Sequence, residues 1–82
     1  MNFEDVLGQL NVIFRKELDN DSISLRAETT AKDIKGWDSL THIMLVVAIE
    51  KQFKVKFTTL EIRGLQNVGQ MCELLLKRLA GR

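Results

Sequence analysis

Between Leu40 and Ile49 almost every residue is apolar, and this run constrains the fold of the 82-residue chain more than any other. Its longest unbroken part, Ile43 to Ile49, is far too short to cross a bilayer. A helix that is apolar all round is either wholly buried or buries one stripe and offers the other to a partner. Phe53 helps to separate the two. Steps of three and four back from it reach Ile49, Leu45 or Val46, and His42, which form the core side. Leu40, Met44, Val47 and Lys51 then form a second stripe that faces outward and reads as a docking surface. Asp38 is the expected N-cap, Ser39 the first helical residue, and Phe53 the approximate end.

Two further long helices follow from the same periodicity. Phe3, Val6, Leu7, Leu10, Ile13, Phe14 and Leu18 mark one face of a helix over about residues 3–18. Asn2 is its cap, Glu4 and Asp5 suit its positive end, and Arg15 and Lys16 its negative end. The last helix opens at Asn67, with Gln70 in capping-box spacing, has Val68, Met71, Cys72, Leu74, Leu75, Leu76 and Leu79 as its apolar residues, and ends at Gly81. A short helix from Leu60 to about Arg63, capped by Thr59 and stopped by Gly64, precedes it. Val55 and Phe57 alternate with polar neighbours, but so short a stretch reads as an extended loop. The predicted fold is all-α, a four-helix bundle with three long helices, one short third helix and a long loop between the first two.

That loop, residues 19–38, has no helical period. Asp19-Asn20-Asp21-Ser22 is turn chemistry, while Ile23, Leu25, Ile34 and Trp37 are isolated apolar anchors expected to pin the segment across the helices. A connection of this length inside a small domain tends to be functional.

Composition bounds the function. Residues 1–82 make a single small domain, with 45% apolar residues for one core and no proline. Residues 1–38 carry a net charge of −3 and residues 39–82 one of +4. The cations of the second part, Lys51, Lys54, Lys56, Arg63, Lys77, Arg78 and Arg82, are scattered rather than striped, which argues against nucleic acid. The start Met1-Asn2-Phe3-Glu4-Asp5 lacks the pattern of a secretory signal, and one cysteine cannot form an internal disulfide, so a cytoplasmic protein is expected. A monomer without membrane contact is the further expectation. One His and one Cys do not make a metal site, and Cys72 reads as packing.

The remaining chemistry lies in Trp37-Asp38-Ser39-Leu40, where a polar loop turns into the apolar helix. This segment, the helix to Phe53, Phe57-Thr58, the short Leu60-Glu61-Ile62 helix and the closing Asn67–Leu79 helix resemble acyl carrier proteins and related peptidyl carrier domains in order and spacing. The resemblance implies that Ser39 is esterified by 4′-phosphopantetheine taken from coenzyme A, whose thiol holds an acyl or aminoacyl group as a thioester. It implies a carrier rather than an enzyme. Its partners would be a phosphopantetheinyl transferase, an acyl- or aminoacyl-loading ligase or transferase, and downstream synthase enzymes. Asp38 would cap the helix and help the modifying enzyme to recognise the site. A phosphodiester at this position also suits the unpaired N–H groups and dipole of a helix N-terminus.

Two other readings compete. One is an interaction module of the same fold whose serine stays bare and whose second helix binds a partner directly. The other is a small hydrolase built on Ser39 and His42, which the sequence disfavours because no third residue orients the imidazole and no glycine-rich oxyanion turn surrounds the serine. Many fatty-acid carriers bear carboxylates along the second helix; here Thr41, Met44 and Lys51 occupy such positions and Glu50 is its only acid. Partner contact is therefore expected through Leu40, Thr41, Met44, Val47 and Lys51. A specialised stand-alone carrier for polyketide, nonribosomal peptide or surface-polysaccharide assembly is preferred to a fatty-acid synthesis carrier.

Overall fold

A computed structural model describes residues 2–81. In chain order these form α1 (Phe3–Glu17), a 3-10 turn (Ala31–Asp33), α2 (Ser39–Phe53), α3 (Thr59–Gly64) and α4 (Val68–Ala80), with no strand among the described residues. The bundle is all-helical, as the apolar periodicity predicts. Arg82, among the scattered cations, and Met1 lie outside the described residues.

Each long helix starts on a polar side chain that takes up an orphan N–H. Asn2 accepts from the Asp5 N–H at 2.9 Å while the Asp5 carboxylate accepts from the Asn2 N–H, a complete capping box. Asn67 accepts from the Gln70 N–H at 2.8 Å. Gln70 does not complete a box on Asn67; its side-chain oxygen accepts from the Gln66 N–H one residue earlier. The short helix differs by one residue from expectation. Thr58, not Thr59, is its N-cap, because the Thr58 hydroxyl accepts from the Glu61 N–H and Glu61 returns the bond to the Thr58 N–H at 2.8 Å. Helix α3 is then held to α4 by an ion pair between Glu61 and Arg78.

Helix α1 packs on both α2 and α4. Its buried side chains Val6, Leu10, Ile13 and Phe14 meet Leu45, Ile49 and Phe53 of α2 and Val68, Met71, Cys72 and Leu75 of α4 in one core. Each large side chain buried there contributes on the order of 2 kcal/mol of transfer free energy.

The long connection belongs to that core. Ile23, Leu25 and Trp37 are buried, and Ile34 is half-buried against them. Polar bonds fix the path between these anchors. The Asn11 side chain of α1 accepts from the Leu25 N–H at 2.8 Å, and Arg15 donates to the Ile23 carbonyl at 2.7 Å. Further along, the carbonyls of Thr29 and Ala27 accept from the Val68 and Gly69 N–H groups at 2.9 and 2.8 Å. The loop thus supplies acceptors to the first turn of α4 and is bonded to α1 as well, which places Trp37 and the start of α2.

Candidate functional site

The site is built at the junction of the loop and α2. Gly36, at φ +91°, turns the chain in a conformation that favours glycine. Asp38 then caps α2: its carboxylate accepts from the Thr41 N–H at 2.9 Å, and the Thr41 hydroxyl accepts from the Asp38 N–H at 2.7 Å. The same hydroxyl donates to the Gly36 carbonyl at 2.7 Å, closing the turn onto the helix. Hydrogen bonding from the Thr41 backbone, and then from its hydroxyl, holds the exposed Asp38 carboxyl below the usual aspartate range, so an anion stands beside Ser39 at neutral pH.

Ser39 is exposed, and its hydroxyl makes no hydrogen bond among the described residues. It lines an open groove of about 860 Å³ between the start of α2, α3 and the α3–α4 connection, together with Trp37, His42, Ile43, Ile62 and Leu65. Thr59 is the other hydroxyl on this groove. A covalent group joined through either oxygen would have an apolar trough beside it.

The spacing back from Phe53 predicts His42 on the core side of α2, and it is half-buried. The Trp37 indole can only donate, so His42 Nδ1 accepts its N–H at 3.1 Å, and the protonated Nε2 donates to the Ile62 carbonyl at 3.2 Å. Both ring nitrogens are engaged, leaving no base for Ser39. Cys72 is fully buried, and burial pushes its thiol up to about 11.

The outward stripe is exposed along its length. Leu40, Met44 and Val47 are 70%, 47% and 44% exposed, and Lys51 is exposed beyond them. Ile43, at 59%, belongs to the same face although the stripe drawn from sequence omits it. A step of three from Leu40 and of four to Val47 would have found it. Thr41 is half-buried, with its hydroxyl spent on the cap.

The chain as a whole resembles known proteins. Residues 8–75 match the family described as phosphopantetheine attachment site. The chain belongs to this family of phosphopantetheine-binding carriers. It is also similar to the holo acyl carrier protein from Geobacter metallireducens solved by solution NMR, with a TM-score of 0.87, 46% identity, and coverage of 93% of this chain and 87% of that one. Comparison with curated proteins gives no match. As an acyl carrier, the chain bears a covalent 4′-phosphopantetheine and presents its cargo to other enzymes rather than acting as a catalyst. Its partners are a phosphopantetheinyl transferase, which attaches the arm, and the synthases or ligases that use the cargo. The exposed hydroxyls on the groove fit such an arm, which needs an accessible oxygen for its phosphodiester. No helix among the described residues is long and apolar enough to cross a membrane.

Proposed function

We propose that Ser39 is the attachment point, and that the chain serves a specialised pathway of polyketide, nonribosomal peptide or surface-polysaccharide assembly. One observation carries the first part. Ser39 is exposed, its hydroxyl makes no hydrogen bond among the described residues, and it opens the fifteen-residue helix α2, whereas Thr59 lies in the six-residue α3. Ser39 Oγ forms its bond to the phosphorus of coenzyme A's pantetheine phosphate as the pyrophosphate bond breaks. Adenosine bisphosphate leaves, and the serine proton passes to a base of the transferase. Asp38, ionised and fixed by Thr41, caps the helix and offers that enzyme a carboxylate beside the reacting oxygen. When bound, the arm supplies a terminal thiol on which cargo is held as a thioester, and a flexible tether raises the cargo concentration that each enzyme meets.

The pathway reading rests on α2. Its first turn holds no acid, and Glu50, the single acid on the helix, has its carboxylate on the Phe57 N–H at 2.8 Å. Leu40, Met44 and Val47, with Thr41 and Lys51 at the edges, are the proposed partner contacts. This apolar face supports a dedicated set of enzymes rather than recognition through a row of carboxylates.

Intact mass spectrometry after incubation with coenzyme A and a broad-specificity phosphopantetheinyl transferase tests the attachment. A gain of one phosphopantetheine that persists in Thr59→Ala and vanishes in Ser39→Ala is the expected result. A gain that survives Ser39→Ala would overturn the assignment.

A further inference from the structure

The exposed row on α2 links two unlike ends. Ile43 lines the groove that holds Ser39. Met44, Val47 and Lys51 line a second groove of about 600 Å³ against Val12 and Lys16 of α1, and Val12 is 63% exposed. Val47 and Lys51 also border a third depression with Lys54 and Lys56. From Leu40 to Lys51 the row rises about 16 Å, three turns of helix.

Charge on this face is polarised. Lys16, Lys51, Lys54 and Lys56 are exposed, and none is in an ion pair among the described residues. Two carboxylates share the grooves with these four lysines. Glu50 is committed to the Phe57 N–H, and Glu17 is half-buried at the end of α1, so the end remote from Ser39 keeps an excess of two positive charges. Long lysine stems lie over apolar surface while their ammonium groups remain in water, where they attract an oppositely charged partner before contact.

We propose that the enzymes served by this carrier dock on α2 through a surface that is apolar where it meets Leu40, Ile43, Met44 and Val47 and acidic where it meets Lys16, Lys51, Lys54 and Lys56. This rests on the carrier reading but not on which oxygen bears the arm. The apolar centre supplies the buried contact, and the carboxylates of the partner fix its direction along α2, so that its active site is brought to the Ser39 end. A partner lined with cations would meet like charge here and be rejected.

Two amphipathic helical peptides serve as probes, alike in their leucine positions, one with glutamates and one with lysines on the polar face. Titrated into isotope-labelled protein, the glutamate peptide is expected to shift the amides of Val12, Met44, Val47 and Lys51, and to bind about tenfold more tightly than the lysine peptide at low salt. High salt should remove most of that preference. Lys51→Glu/Lys56→Glu should invert it and Lys51→Gln/Lys56→Gln should abolish it, with circular dichroism unchanged in both. Ser39→Ala should bind the glutamate peptide as the parent does, so docking and modification are read separately. Equal binding of the two peptides, shifts confined to another face, or a preference that survives the double reversal would overturn the proposal.

Discussion

The rings of Trp37 and His42 lie nearly parallel, with centroids 5.9 Å apart and planes inclined by 21°, while the indole N–H reaches the imidazole Nδ1. Trp37 also meets Phe14 of α1 edge to face at 4.9 Å. One loop residue thus ties the core of α1 to the imidazole that supports α3 through the Ile62 carbonyl. Trp37→Phe keeps an aromatic ring but removes the donor, leaving His42 Nδ1 without its partner. A loss of about 2 kcal/mol is expected in urea unfolding, from the missing bond and the smaller ring together. Amide exchange in α3 should quicken more than in α1, since the support of Ile62 depends on where His42 is held. Uniform quickening along the chain would show that the indole contributes bulk alone.

Acid should weaken the start of α2. The Asp38 carboxyl titrates below its ordinary 3.8 in the folded chain, chiefly because the Thr41 N–H bonds the ionised form. A carboxylate with a depressed value stabilises the fold fully above the unfolded value, and that contribution is lost as pH falls from 3.8 through the folded value. Asp38→Asn keeps an oxygen for Thr41 without the titration. The parent should be the more stable near neutrality, and the two should converge in urea midpoint as pH falls below 3.8. A constant gap across that range would count against the cap as its cause.

Gly69 in α4 has no room for a side chain. A methyl there would lie 2.9 Å from the Ala27 carbonyl oxygen and 3.2 Å from the Ala27 Cβ. The same carbonyl accepts the Gly69 N–H, so the loop cannot retreat without losing the bond. Gly69→Ala, normally favourable in a helix, should here cost about 2 kcal/mol in chemical denaturation. Gly8 of α1, where a Cβ would meet nothing within 4 Å, is the control, and Gly8→Ala should be neutral or stabilising. Equal effects at the two positions would remove the role assigned to the loop contact.

The difference between those glycines shows where reading from sequence stops. The three long helices, the Asp38 and Asn67 caps and the loop anchors were legible, because apolar spacing and cap chemistry act within a few residues. Thr58 and Thr59 are adjacent threonines ahead of one short helix, and only the reciprocal bond with Glu61 separates them. The Gly69 contact lies across forty-odd residues of chain and depends on how the loop crosses α4. The same holds for the site. Ser39 stood out from its place between polar loop and apolar helix, but the groove beside it needs α3, and the Trp37–His42 bond needs the turn at Gly36. No local pattern encodes either.

Cys72 supplies a last, independent check on the packing of α4. It is fully buried in the core, and desolvation raises its thiol from 9.0 to about 11. The thiolate is the reacting species in alkylation, so the folded protein should react with iodoacetamide far more slowly than the urea-unfolded chain at neutral pH. Stability should respond in the alkaline direction. The unfolded thiol begins to ionise near 9.0 while the folded one still holds its proton, so the contribution is complete below that value and declines toward about 11. Cys72→Ala removes the titration and leaves a small cavity, so the variant should be less stable at neutrality and show a flatter alkaline limb. Rapid alkylation of the native protein, at the rate of an exposed thiol, would mean that α4 opens far more readily than a core of Phe14, Leu45, Ile49 and Met71 allows.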